Sequence, residues 1–401
     1  MIPTRRTSMW LAAVCTAAVV MSGAAGPAAA AGTDEQNTAR GRGFTQTNLV
    51  SNLPGMAAHT DRDLRNPWGI STGAGLPLWV SDNGTGLSTL YDGTGAPAPA
   101  PTPLVVTIPA AAATGQGGGG TPTGTVFNAT GQGFPVSGGG VTAASRFMFA
   151  TEDGALAGWS PTVDRTHAVI AVDRSAVTDP DGDTGAVYKG LALAATPAGQ
   201  FLYATNFRFG QVEIFDSTFT LVRTFTDPAL PSGYAPFGIQ NINGRLFVTF
   251  AKQDADKHDD VAGPGNGFVD IFSTSGALLQ HLDSRGPLNS PWAVTQAPAT
   301  MPGIGGDILV GNFGDGRINT YRLRDNNSAT SNSSGVENSS RDQGRFIGAL
   351  RDTHGKPISI PGLWDLKFPT GSLNVPANTL YFTAGINDEA DGLLGTLTTA
   401  Q

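Results

Sequence analysis

The chain has 401 residues and a formal net charge of −8, a length that suits two or three ordinary domains or one large β domain. An acidic surface repels phosphate backbones, so nucleic acid is not an expected partner. With 54 glycines, 27 prolines and only 14% charged residues, the composition favours many short strands joined by turns over helices.

Residues 1–31 read as an export signal. Arg5 and Arg6 form a basic start, Met9 to Met21 is apolar but too short to span a bilayer, and Ala28 to Ala31 offer a small-residue cleavage site. A twin-arginine signal fits less well than a general one, because Ser8 and Met9 stand where that signal prefers an apolar pair. The only cysteine, Cys15, lies in this segment. The mature chain therefore has no disulfide, thiolate metal site or cysteine nucleophile. No later stretch is long and apolar enough to form a membrane span. The expected product is secreted and extracellular, with a flexible segment over 32–43 and one folded domain over 44–401.

From Phe44 onward three strand-like phrases recur in fixed order. The first is small and apolar: PWGIS from Pro67, TGTVF from Thr123, KGLAL from Lys189, PFGIQ from Pro236, PWAVT from Pro291 and LWDLK from Leu363. The second is aromatic and β-branched with a polar end: LWVSDN from Leu78, FMFATED from Phe147, FLYATNF from Phe201, RLFVTF from Arg245, ILVGNF from Ile308 and LYFTAG from Leu380. The third follows a glycine-rich turn, as in LSTLYDG from Leu87 and FVDIFST from Phe268. A fourth strand is visible in places, as in PLVVTIP from Pro103, LVRTFTD from Leu221 and GALLQHLD from Gly276. Six sets of three to four strands predict a six-bladed β-propeller, an all-β ring that is stable only when closed. The alternative, a pair of β-sandwiches, does not repeat one phrase six times. FTQTNLV from Phe44 belongs to no local set and is expected to pair with the C-terminal blade and close the ring. Gly93 to Gly120 and Asn326 to Ser340 read as flexible surface.

Antiparallel strands put the loops entering each blade and the loops joining strands two and three on one face. The acidic segments fall there: AAHTDRDLRN into blade one, TDPDGDTG into blade three, AKQDADKHDDVAGPGNGF within blade four and INDEADG within blade six. Neither Asp179 nor Asp254 begins an EF-hand, since the sixth and twelfth positions hold Thr184 and Gly190, or Asp259 and Gly265. The first is better read as a solvated turn. His258 has no second histidine at zinc spacing, but beside Asp256 or Asp259 over the channel it could serve as a general base. The polar ends of the second strands, Asp82, Glu152, Asn206 and Asn312, are the candidate metal ligands, because oxygen donors converging from several blades suit Ca²⁺. The alternative is that they cap turns. Lys189 and Asp365 stand out in first phrases that are otherwise small or apolar, and Asp365 is expected to face the channel or pair with a neighbour such as Lys367. No nucleophile elbow or Ser/His/Asp set is present.

The phrases NLVSNLPG, NPWGI, LWVSDNGTG, FATEDGALAGW, VYKGLA, KHDDVAGPGNGFVDIF, LVGNFGDGRIN and YFTAGINDEADGL cover nearly the whole mature chain. In them it resembles a family of secreted bacterial six-bladed propellers of the NHL type, known as conserved hypothetical proteins. That resemblance implies the fold and no particular activity. The family's last first-strand phrase usually reads W-G-L, where this chain has Trp364-Asp365-Leu366. More distantly the architecture is similar to calcium-dependent lactonases, a likeness that implies a single ion held by residues such as Glu152, Asn206 and Asn312. Two functions follow as expectations: a binding module for an extracellular small molecule, glycan or protein, or a metal-dependent hydrolase or lyase of lactone-like molecules. In the second, an ion polarises a carbonyl and Glu152 or His258 moves the proton.

Overall fold

The computed structural model describes residues 43–114, 119–323 and 344–400. The leader reading, all of the 32–43 segment but Gly43, and the Asn326–Ser340 reading lie outside these residues. The described chain forms six antiparallel blades. Blade 1 comprises Pro67–Ser71, Leu78–Asp82, Leu87–Tyr91 and Val105–Thr107; blade 2 comprises Pro122–Phe127, Phe147–Thr151, Ala155–Trp159 and Val169–Asp173. Blade 3 holds Tyr188–Thr196, Gly199–Asn206, Gln211–Asp216 and Leu221–Phe225; blade 4 holds Tyr234–Ile242, Arg245–Lys252, Phe268–Ser273 and Leu278–Ser284. Blade 5 is Pro291–Gln296, Ile308–Asn312, Ile318–Arg322 and Arg345–Ala349. Blade 6 is Leu363–Lys367, Leu380–Ala384 and Leu393–Thr399, completed by Phe44–Ser51. The expected closure is observed: Phe44–Ser51 pairs antiparallel with Leu393–Thr399, from Phe44 opposite Thr399 to Ser51 opposite Leu393. The innermost strands of successive blades contact one another in an unbroken cycle.

The first phrase is small and apolar because its strand is buried on both faces, whereas outer strands such as Leu221–Phe225 are largely exposed. All six inner strands carry an irregularity in register, for example between Tyr188 and Leu191 and between Pro236 and Ile239. It frees backbone groups that second-strand threonines recover. Thr205 Oγ1 accepts from Gly190 N at 2.6 Å and donates to Phe237 O of the next blade at 2.8 Å. Thr249 Oγ1 accepts from Gly238 N at 2.8 Å. Thr383 Oγ1 accepts from Asp365 N at 3.0 Å and donates to Trp68 O. The threonine of the second phrase is thus a stitch between neighbouring blades. Its neighbour in space must be small: a Cβ on Gly238 would overlap the Trp292 carbonyl oxygen, and one on Gly190 would lie 2.9 Å from Ile239 N.

Asp365 occupies this small-residue slot at the seam between blades 6 and 1. It joins the backbone of the next blade: Oδ2 accepts from Ile70 N at 2.8 Å and Oδ1 from Leu366 N at 2.8 Å. Burial raises its pKa, with Lys367 and the two amides opposing.

Gly93–Gly120 differs from the expectation of flexible surface. Ala98, Val106, Ile108 and Ala111 are buried, and all but Ala111 belong to a cluster with Trp79, Phe147 and Trp159. The alternation of Val106 and Ile108 buries one face of the strand, and Asp153 Oδ2 holds Ala111 N at 2.7 Å. The sequence reading also missed a hairpin, Pro135–Gly138 with Val141–Ala144, inserted in blade 2.

Candidate functional site

The residue before each inner-strand small residue is, in blade order, Trp68, Thr123, Lys189, Phe237, Trp292 and Trp364. Thr123 Oγ1 donates to Ala150 O and Tyr188 O. The aromatic members pack together. Trp68 stacks on Trp364 with centroids 3.3 Å apart, Trp292 meets both edge-on at 5.8 and 5.9 Å, and Phe237 lies 6.0 Å from Trp364. Phe313 stacks on the same indole at 4.0 Å. Such pairs add about 0.5–1.5 kcal/mol each beyond area burial, so the centre is a packed plug.

Lys189 takes the place of an aromatic in this layer. Its side chain is 2% exposed, and its ammonium lies 5.2 Å from the Trp68 centroid and 5.8 Å from that of Phe207. It pairs with Glu152 Oε1 and lies 3.4 Å from Asp259 Oδ1. Burial works to lower its pKa, but the carboxylates of Glu152, Asp259 and Asp260 outweigh burial and hold it above the usual lysine value.

From this pair a polar network spreads over the mouth. Asn83 Nδ2 donates to Glu152 Oε2 at 2.7 Å. Asn66 Nδ2 donates to Glu389 Oε2 at 2.7 Å and lies 3.4 Å from Asn83 Oδ1, and Trp364 Nε1 donates to Asn66 Oδ1 at 2.9 Å. His258 Nδ1 is 2.8 Å from Asp259 Oδ1. Blades 1, 2, 3, 4 and 6 all contribute, blade 3 through Lys189 of its inner strand and the others through the loop classes that strand alternation assigns to one face.

The blade 4 loop is folded over this mouth. A bridge between Gln253 and Asp260 closes its base, Asp254 Oδ1 accepts from His258 N at 2.9 Å, and Lys257 Nζ reaches Asp183 Oδ2 at 2.5 Å. Asp179 caps its own turn through Asp181 N and Asp183 N, as a solvated turn should. In the blade 6 loop Asn387, Asp388 and Glu389 are consecutively left-handed, with φ of 56°, 53° and 64°. That conformation costs roughly 1–2 kcal/mol per residue. Asn66 holds one end of the turn through Glu389 and Asn52 the other, donating from Nδ2 to Asp391 Oδ1 at 2.6 Å.

Two cavities flank the network. One of about 370 Å³ is lined by Glu152, Asp153, Ser175, Thr184, Arg208 and His258. The other, of about 470 Å³, is lined by Phe313, Asp315, Ser359, Asn387, Asp388 and Glu389.

The four sequence-derived metal candidates take different places. Asp82 Oδ2 accepts from Thr89 N and Oγ1 at 3.0 and 2.8 Å. Asn206 Nδ2 donates to Glu213 at 3.0 Å, and Asn312 Nδ2 to Pro287 O at 2.8 Å. These three side chains bond beside their own strand ends, while Glu152 lies in the central network. The reason is a register difference of one residue. Opposite the start of the inner strand stand Asp82, Thr151, Asn206 and Asn312, so Glu152 is the counterpart of Asn83, Phe207 and Phe313. One residue reverses the face of a strand. Asn66 and Asn83 went unread as site residues, although Asn83 follows Asp82 as Glu152 follows Thr151. Among the described residues two groups have ligand atoms within 4.8 Å that could hold a metal: Glu152, His258 and Asp259, and Asp227, Asp270 and His281.

The network gives opposite pH signatures to two carboxyls. The His258 hydrogen bond, with Lys189 adding attraction, holds Asp259 at about 2. Its contribution is complete above the ordinary value near 3.8 and is lost as pH falls through about 2. Glu389 is raised, by lost hydration and then by the Glu152 charge, so its ionisation works against folding above its ordinary value of 4.5. Glu389→Gln is therefore expected to raise Tm at pH 7 and leave it unchanged at pH 3.5, measured by thermal melts at both pH values.

No protein-family model matches the chain. It is 31% identical over 356 residues to an uncharacterised protein of Acanthamoeba polyphaga mimivirus, covering 87% of this chain and 78% of that one. A second uncharacterised mimivirus protein is 31% identical over 357 residues, covering 87% and 84%. This chain belongs to their family. These relatives are viral, where the sequence reading expected bacterial kin. Among solved structures a glucose dehydrogenase superposes with a TM-score of 0.51 at 12% identity, over 89% of this chain and 100% of that one. A virginiamycin B lyase from Staphylococcus aureus gives 0.46 at 14%, over 89% and 99%. The glucose dehydrogenase likeness is one of fold.

Proposed function

We propose that this family member is a secreted ligand-binding propeller whose mouth takes a small polyhydroxylated molecule, free or as a glycan unit. The observation that carries the reading is the convergence at one mouth of charged and amide groups from five blades around a buried ammonium. A ring needs none of them to close, since aromatic residues fill the same layer in four blades. The flanking cavities are of small-ligand size. The larger offers carboxylate and amide acceptors to hydroxyl groups above the Phe313 ring. In this reading Lys189 supplies the positive charge that the sequence analysis assigned to Ca²⁺, because an ion would compete with its ammonium for Glu152 and Asp259. Binding to a panel of mono- and oligosaccharides by calorimetry tests the reading. A hit that weakens at least tenfold in Asn387→Ala and Glu389→Gln supports it; no binder in the panel, or one indifferent to both changes, rejects it.

One geometric feature favours a second reading as a hydrolase or lyase of lactone-like molecules. Asp259 orients His258 through Nδ1, and His258 lines the same cavity as Glu152, an arrangement suited to moving protons. Lactone turnover lost in His258→Ala while saccharide binding persists would favour this chemistry over simple binding.

A further inference from the structure

Away from the mouth, the seam between blades 3 and 4 holds a second group of ionisable side chains. Asp270 in the third strand of blade 4 stands opposite His281 in the outer strand. Asp227 follows the outer strand of blade 3. Asp270 is 1% exposed and Asp227 5%. His281 Nδ1 lies 2.8 Å from Asp270 Oδ1 and 3.9 Å from Asp227 Oδ2, and one ligand atom from each residue falls within a span of 4.8 Å.

Two observations indicate that something is needed here. Asp270 Oδ2 is buried and has no hydrogen-bond partner. Among the described residues no lysine or arginine forms an ion pair with either carboxylate, so the half-exposed imidazole faces two buried acids alone. Buried charges are normally paired or bound to metal. The geometry is also preset. Asp227 Oδ1 accepts from Ala229 N at 2.9 Å, leaving Oδ2 on the His281 side, as supporting hydrogen bonds do for metal-binding carboxylates. Ligand separations of 2.8 and 3.9 Å bracket the roughly 3.4 Å edge of a tetrahedron with bonds near ~2.1 Å.

We propose that Asp227, Asp270 and His281 form a structural site for a divalent transition cation of the Zn²⁺ type, with water on the exposed side of His281, clipping blade 3 to the outer edge of blade 4. One imidazole nitrogen with two carboxylate oxygens suits such an ion better than the all-oxygen shell of Ca²⁺.

The test is zinc titration of the full chain by calorimetry, with melts in zinc and in chelator. The expected result is one equivalent bound with a Tm rise of about 3–4 °C at a hundredfold excess over Kd. Binding and shift should be lost in Asp270→Asn and in His281→Ala but retained in His258→Ala. His281 is half-exposed, so its variant should fold even where that of Asp270 does not. Zinc binding that survives His281→Ala and disappears in His258→Ala would place the ion at the mouth and overturn the proposal. Absence of any binding would overturn it too, leaving a proton shared between the acids.

Discussion

Lys189→Met is expected to destabilise the protein by about 3 kcal/mol at pH 7, as judged by urea unfolding. The substitution keeps the unbranched stem among the aromatics and removes only the charge. Breaking a buried pair costs about 3–5 kcal/mol, mostly because the partner stays behind uncompensated. Glu152 is that partner, with its side chain 11% exposed. Asp259 is 68% exposed and sits in the weak regime of surface pairs, worth at most about 1 kcal/mol. The total should therefore fall at the lower end of the range. Adding Glu152→Gln should restore most of the loss, since a neutral amide can still accept from Asn83. A Lys189→Met protein as stable as the parent would mean that the charge is not what ties the blade loops to the centre.

Gly238→Ala is expected to have the larger effect, a loss above about 3 kcal/mol or no recoverable folded protein. The new Cβ would overlap the Trp292 carbonyl oxygen, which belongs to the neighbouring inner strand. Easing the contact means separating two blades of a closed ring, and cores resist even small additions. The reverse change in the next blade, Ala293→Gly, should cost only about 1 kcal/mol, the ordinary penalty of a strand glycine. Circular dichroism melts of the two variants give the comparison. Equal losses would refute the claim that inter-blade spacing sets the residue at this position.

Particular residues show why the fold was readable from sequence and the mouth only partly so. The repeat is legible because each blade solves the same packing problem, so P-W-G-I and P-F-G-I recur where strands are buried on both faces. The acidic face followed from strand alternation alone. What failed was register at the strand ends, where Glu152 was aligned with Asp82 although Asn83 is its counterpart. A single residue there separates a side chain bonding within its own blade from one facing the centre. Lys189 was noticed as an exception in its strand, but its partners lie 37 residues before and 70 after it in the chain, a separation that local pattern does not encode. Asp365 was similarly visible while its bond to Ile70 N was not, because that contact exists only across the seam of the closed ring.

The strand over Phe44–Ser51 has a kinetic consequence. It is made early in synthesis, yet its partner, Leu393–Thr399, comes more than three hundred residues later. Blades 1 to 5 can form locally from hairpins as they emerge, but the last sheet must wait for one of the longest loop closures the chain allows. Contacts of such sequence separation form late because the entropy of closure precedes the reward. Until then the Leu393–Thr399 strand offers an unpaired edge. Refolding should therefore end in a slow step limited by this pairing. A synthetic peptide of the Phe44–Ser51 sequence, added in excess during refolding, should compete for that edge and retard the final phase without changing the earlier ones.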